Sequence, residues 1–288
     1  MARGLDHIVH AVHDLDAAAE VYRRAGFTVG ARNRHPWGTH NCIVQLPGFF
    51  VELITVGEPE LVRMGAPGTF SFGAFVRDFL AREQGLAMLV LEGKSAQDDA
   101  AAFRDAGIGS FKVFDFEREA KRPDGASVRV AFSLAFAADA KAPDTGYFTC
   151  QQHHPENFWN TAFQQHANGA TGVVGVILVA ERPQDHREFM RAFAGAGDLE
   201  TNSGFVAKTP RGEIQVMTPS AYRTHTAAEP PDGARGARLA AVRFAVPDTT
   251  KAISICRGNG VEVIEHDGRA VIQRHAAFGA TLIFEAPK

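Results

Sequence analysis

From Leu5 to Val12 apolar side chains dominate. After Asp14 the pattern changes, and Leu15, Ala18, Ala19 and Tyr22 recur on one face of a 3.6-residue period. This predicts a strand running into a helix capped by Asp14 and stopped at Ala25-Gly26-Phe27. Thr28 to Arg32 and Thr39 to Leu46 read as two strands joined across residues 33–38, and Gly48 to Ile54 as a further one. The unit is βαβββ.

The order then returns three times. Leu86 to Leu91, a helix from Ser95 to Ala106, Gly107 and a closing strand at Gly146 to Cys150 make the second copy. Val173 to Val179, a helix over Gln184 to Ala194 and Gly212 to Val216 make the third. Leu239 to Val246, a helix over Asp248 to Arg257, Gly258-Asn259-Gly260 and Gly279 to Phe284 make the fourth. One βαβββ unit leaves a sheet face bare, so the units must pair to bury it. The fold class expected is α+β, with four modules in two pairs. An insertion over Phe114 to Asp144 reads as a surface excursion of the second module. Pro155 to Ala170 and Ala227 to Gly236 read as linkers, the first dividing the chain into an N-terminal domain (1–155) and a C-terminal one (170–288).

At 288 residues, 45% of them apolar, there is material for two cores. A formal net charge of −3 gives no reason to expect nucleic acid or an anionic membrane as partner. No apolar run is long enough to span a bilayer, and residues 1–6 show no signal-peptide pattern. Cys42, Cys150 and Cys256 are odd in number and unpaired in spacing, which suits reduced thiols and a cytoplasmic location.

Leu5-Asp6-His7-Ile8-Val9, Asp14-Leu15-Asp16-Ala17-Ala18-Ala19-Glu20-Val21-Tyr22 and Ala25-Gly26-Phe27 resemble the opening of the vicinal oxygen chelate superfamily. More narrowly, His35-Pro36-Trp37-Gly38-Thr39-His40-Asn41 and Gln151-Gln152-His153-His154-Pro155-Glu156-Asn157-Phe158-Trp159 are similar to its glyoxalase-like branch. The resemblance implies βαβββ modules paired into two half-open barrels around a divalent metal (Fe, Mn, Zn, Ni or Co). It places ligands on the first and last strands of a module, here His7 and Glu52. Imidazole and carboxylate suit those ions and leave positions open for a substrate's paired oxygens. As a bland residue, Glu52 among Phe49, Phe50, Val51, Leu53 and Ile54 would be a costly buried charge, unless an arginine paired it.

The second module offers no ligand on its first strand. On its last, alternation puts Cys150 and Gln152 on the metal's face, and His153 there only if the alternation breaks near Pro155. His153 is chosen as third ligand because imidazole binds better, with Gln152 or His154 as replacements; Cys150 otherwise reads as a small buried hydrophobe. Glu52, His40 or His154 is the candidate base. His35, Trp37, Gln152 and Trp159 are candidates for substrate contact. Val173 to Val179 and Leu239 to Val246 hold no histidine, and Glu285 lacks an evident partner, so the second half reads as metal-free. His10 faces away from His7; His13, His186, His266 and His275 read as solvated.

Two functions compete. One is a metal-dependent lyase, isomerase or oxygenase acting on a small substrate that chelates through adjacent oxygens. The alternative, which 22 Phe and the missing ligand on the second module's first strand speak for, is a non-catalytic protein that sequesters an aromatic or planar compound; the enzyme is the reading preferred. A homodimer is compatible with either, since paired modules can be exchanged between chains.

Overall fold

The computed structural model describes residues 1–121 and 127–287. The first module comprises β1 (Leu5–Ala11), α1 (Leu15–Arg24), β2 (Asn33–Arg34), β3 (Thr39–Leu46) and β4 (Phe49–Val56). β2 is shorter than the sequence pattern suggests and begins after Arg32. An unforeseen helix, α2 (Phe72–Leu80), follows. The second module has β5 (Gly85–Glu92), α3 (Ala96–Asp105), β6 (Phe114–Lys121), β7 (Ser127–Ala137) and β8 (Gly146–Gln152). Residues 114–121 and 127–137 are therefore paired strands of the sheet and not a surface excursion; residues 122–126 of that segment lie outside the described residues.

A short helix α4 (Pro155–Phe158) leads to β9 (Gly172–Val179), α5 (Arg187–Ala194), β10 (Asp198–Thr201), β11 (Gly204–Lys208) and β12 (Glu213–Met217). After α6 (Pro219–Thr226), the fourth module has β13 (Arg238–Ala245), α7 (Thr249–Gly258), β14 (Ile264–His266), β15 (Arg269–Ile272) and β16 (Thr281–Glu285). Among the described residues no helix is long and apolar enough to cross a membrane.

Two eight-stranded mixed sheets result, ordered β2-β3-β4-β1-β5-β8-β7-β6 and β10-β11-β12-β9-β13-β16-β15-β14. The first strands of modules 1 and 2 meet antiparallel, as do those of modules 3 and 4. These are the paired half-open barrels the repeat requires. Strand alternation divides the apolar residues into three cores. Ile8, Val51 and Leu89 on the convex face of the first sheet, Val242 and Leu282 of the second, and helix residues Tyr22, Phe103, Phe193 and Cys256 form one cluster between the barrels. Val9, Ile54, Met88 and Phe148 form a second, inside the first barrel, and Ile177, Ala241 and Ile283 a third, inside the other. Module helices thus lie outside each barrel yet are buried between the two.

The seam carries polar contacts too. Gly279 (φ +87°) lets the backbone of module 4 approach Gln84, since a Cβ there would meet the Gln84 carbonyl at 1.9 Å. His186, expected in solvent, is 4% exposed and pairs with Asp139 at 2.6 Å. His10 is fully buried, with Nδ1 3.1 Å from the Tyr22 hydroxyl and Nε2 2.9 Å from the Phe278 carbonyl. Burial lowers its pKa to about 4, against a partial rise from the carbonyl contact.

The unfolded chain therefore takes up this proton near pH 6.5 while the folded one resists to about 4. Stability from this site is fully present above pH 6.5 and is lost as pH falls towards 4, at about 1.4 kcal/mol per pH unit. In urea melts at pH 7 and pH 4.5, His10→Gln is expected to flatten the decline seen in the native protein. An unchanged slope would remove His10 as its source.

Candidate functional site

The first barrel contains a cavity of about 60 Å³, with His7, Asn41, Glu52 and Cys150 in its polar wall. His7 (4% exposed) is on β1 and Glu52 (7%) on β4, which run parallel with Val9 opposite Glu52 and His7 opposite Phe50. Period-2 alternation turns His7, Val9, Phe50 and Glu52 inward together. The tight turn at Pro47-Gly48, with Gly48 at φ +70°, fixes the β3–β4 register, so Asn41 and Ile43 face inward beside Glu52.

At Asp6 the β1–β5 ladder slips: Leu5 pairs with Leu91 but His7 with Val90. The extra residue is a β-bulge, and it brings the Asp6 carboxylate beside the His7 ring, with Nδ1 2.5 Å from Oδ1. A carboxylate only accepts, so in neutral His7 the proton is on Nδ1 and Nε2 keeps its lone pair. The ring is held flat on Phe50, 4.1 Å between centroids at 14°. Gln152 Nε2 donates to the other Asp6 oxygen at 3.1 Å, leaving Gln152 Oε1 buried without a partner. Asp6, His7 and Cys150 bring ligand atoms within 4.8 Å of one another. Burial first, then the negative charges of Asp6 and Glu52, push the Cys150 thiol well above its usual range.

Glu52 is oriented from the other side. Asn41 Nδ2 donates to its Oε1 at 2.5 Å, and the Asn41 carbonyl accepts from Asn33 Nδ2 at 3.1 Å. His35 Nδ1 lies 2.9 Å from the Thr39 hydroxyl and Nε2 3.4 Å from Asn41 Nδ2. Burial lowers the pKa of His35, partly opposed by Glu52. Among the described residues no cation lies within ion-pair distance of Glu52. Arg118, on β6, shares the cavity wall with it.

His35 stacks on Trp37 at 4.6 Å, and both line the cavity. Phe72, which begins α2, and Phe158 of α4 complete an aromatic wall. Trp159 packs edge-on to Phe50 at 6.0 Å, but lines the outer groove next to the cavity. The segment after Pro155 thus packs on the site.

The structure does not bring His153 to His7 and Glu52. Alternation holds through β8: Gln151 faces the convex side, where its Oε1 accepts from the Ala96 amide, and His153, two residues on, follows it. Its Nε2 is 2.7 Å from the Ser133 hydroxyl, which donates to Asp115 at 2.5 Å. The expected break in alternation at this point is corrected. His154 is partly exposed, 3.5 Å from Glu156, and lines the same surface groove as His153. His40 also turns to the convex face, between Arg32 (3.5 Å) and Glu58 (3.3 Å), because Asn41 takes the inward position. Neither His40 nor His154 lines the cavity. Asp6, Asn41 and Arg118 are the polar neighbours that sequence reasoning passed over.

The second barrel shows what the same framework does with other residues. Matching ladders and bulges put Gly175 where the first barrel has His7, Gln215 for Glu52, Arg243 for Val90 and Glu285 for Cys150. Arg243, 1% exposed, pairs with Glu213 at 2.6 Å and Glu285 at 2.5 Å; Arg269 takes the other Glu285 oxygen at 2.9 Å. Glu285 therefore does have partners, which corrects its reading as unopposed.

Several solved structures share this architecture. A hypothetical protein from Staphylococcus aureus matches with TM-score 0.69 and 12% identity, over 99% of this chain and 100% of that one. A mutant of 4-hydroxymandelate synthase from Streptomyces coelicolor matches with TM-score 0.56 and 10% identity, over 99% and 92%. A xylose isomerase-like TIM barrel/4-hydroxyphenylpyruvate dioxygenase fusion protein matches with TM-score 0.54 and 13% identity, over 100% of this chain and 50% of that one. At such identities the likeness is one of fold. No curated protein matches the chain in sequence. A family model described as a glyoxalase-like domain matches residues 5–193, the whole first barrel and the start of the second. On that match, with two pairs of βαβββ modules beneath it, the chain belongs to the glyoxalase-like domain family of the vicinal oxygen chelate fold.

Proposed function

We propose that the first barrel is the working half, holding one divalent transition metal (Mn, Fe, Co, Ni or Zn) through His7 and Glu52. It acts there on a small substrate that presents adjacent oxygens, in lyase, isomerase or oxygenase chemistry. The observation that carries this is the state of the two buried donors. His7 spends Nδ1 on Asp6 and keeps Nε2, while Glu52 receives only a neutral amide on Oε1 and has no described cation at ion-pair distance. A buried carboxylate compensated so lightly is expensive.

The donor set fits such an ion. His7 and Cys150 bring ligand atoms within 4.8 Å of each other and Glu52 lines the same cavity, so imidazole nitrogen, carboxylate oxygen and a neighbouring sulfur are available to a first-row metal. When bound, the metal would supply Lewis acidity towards the substrate's oxygens. The chain's own residues do the rest. Asp6 fixes the His7 tautomer and ring orientation, as carboxylates do for metal-bound imidazoles. Asn41, braced by Asn33 and His35, fixes Glu52. Trp37 and the phenylalanines exclude water and favour a flat, apolar substrate body. The small-molecule partner and the cytoplasmic location belong to this reading; the three buried free thiols agree with it.

The aromatic wall also supports a second reading, a metal-free protein that sequesters a planar compound. Titrating the metal-stripped protein with Mn, Fe, Co, Ni and Zn ions separates the two. One ion per chain is expected; no stoichiometric uptake of any of them would leave the sequestering function standing.

A further inference from the structure

β6 and β7 close one side of the first barrel, and their register sets Arg118 opposite Val130 and Phe116 opposite Phe132. Alternation makes Phe114, Phe116 and Arg118 one inward-facing row, so an arginine ends a row of phenylalanines. The Arg118 side chain lines the cavity together with Glu52, and it also lines an outer groove of about 750 Å³. Among the described residues, only Ile43 and Phe158 share both surfaces with it. Arg118 therefore stands where the cavity opens to the groove.

Its guanidinium is underused. A guanidinium carries five donors in a fixed fork. Among the described residues Arg118 spends one, from Nη1 to the Glu119 carbonyl at 3.4 Å, and no carboxylate lies within ion-pair distance. Neighbouring β-strand arginines differ: Arg129 pairs with Glu117 across the same ladder. Burial works against the charge of Arg118, and Glu52 is the group that supports it. A cation in an apolar wall without a partner is costly unless a ligand completes it.

We propose that Arg118 is the specificity-determining residue of the site and selects organic carboxylates. Their short head enters the cavity, and their carboxylate meets the guanidinium at the junction with the groove. This deepens the proposed function and rests on the first barrel being the working half. Charge supports it. With a divalent ion bound, the carboxylates of Glu52 and Asp6 offset its charge and Arg118 leaves the site with one net positive charge, which a carboxylate ligand balances in a wall that excludes water. Size agrees, because the cavity of about 60 Å³ opens at Arg118 into the much larger groove of about 750 Å³, which offers room for the rest of a longer ligand.

Phenylacetate and phenylacetamide test this as a matched pair, equal in shape and different in charge. The chain's two tryptophans, Trp37 and Trp159, line the cavity and the groove, so their fluorescence reports binding. In metal-loaded and metal-free protein alike, the acid is expected to bind at least about 10-fold tighter than the amide. Arg118→Gln should erase the preference and Arg118→Lys keep part of it, since lysine holds the charge but not the fork. Glu52→Gln, tested without metal, separates this from the metal site: removing the neighbouring negative charge should strengthen phenylacetate binding. If the preference survives in Arg118→Gln with metal bound but vanishes when the metal is removed, the metal holds the anion and the proposal falls. Equal binding of acid and amide overturns it, as does no binding of either up to about 10 mM, where ligands of this size are expected to register. If the protein takes up no metal but the acid preference persists and depends on Arg118, the metal reading fails alone.

Discussion

Replacing His7 or Glu52 with Ala is expected to lower divalent-metal affinity at least about 10-fold, the loss seen when even supporting partners of ligands are removed. His7 Nε2 and the Glu52 carboxylate are the donors that the surrounding protein orients but does not consume. Asp6→Asn should give a smaller loss, because it frees the His7 tautomer without removing the ring. His153→Ala should leave affinity within about 2-fold, since its imidazole is spent on Ser133 at the convex face and even a supporting residue would cost more than that. Competition with a chelator of known affinity measures all four. Equal metal retention by His7→Ala and Glu52→Ala would remove both from the site. A large loss with His153→Ala would mean that the end of β8 rearranges to reach the metal.

The modules were legible because each is local: an apolar run, a 3.6-residue stripe and a glycine stop, repeated four times. The same strand alternation placed His7 and Glu52 on one face. It also counted Cys150 and Gln152 inward, and the preference for imidazole over amide set that count aside for His153. The backbone kept the count, since β8 stays paired to β7 through Gln152. His40 failed for a similar reason. Once the Pro47-Gly48 turn sets Ile43 against Glu52, Asn41 must face the cavity and His40 the helices. That register was available from the sequence.

Asp6 was less accessible. Only a bulge brings two successive residues into one polar cluster, and the bulge depends on how β1 meets β5, 80 residues away in the chain. Arg118 was hidden by the view of residues 114–144 as an excursion, although Phe114, Phe116 and Arg118 already show a strand's alternation. The pairing of Glu285 had a visible signal in the arginine at the centre of Leu239-Ala240-Ala241-Val242-Arg243-Phe244. Its partners come from strands that are distant in sequence.

Arg243→Met is expected to cost about 3–5 kcal/mol, the range found when one member of a buried ion pair is removed. The two barrels solve one packing problem differently. In the first, His7 and Glu52 are inward polar groups with donors left over. In the second, glycine at the His7 position clears space, since a Cβ on Gly175 would come within 2.9 Å of Glu213 Cγ, and Arg243 fills the interior between two carboxylates. Removing Arg243 leaves Glu213 without that guanidinium and Glu285 with Arg269 alone. For a chain of this size the melting temperature should fall by about 2–4 °C for each kcal/mol lost. A triple variant, Arg243→Met with Glu213→Gln and Glu285→Gln, should recover much of the loss, because neutral amides need no counter-charge. Metal uptake at 25 °C by the first barrel should be unchanged in both, as the network touches neither His7 nor Glu52. A fall of under about 1 kcal/mol for the single variant would show that the carboxylates are already solvated or protonated. Failure of the triple variant to recover would assign the loss to packing of the arginine stem rather than to charge.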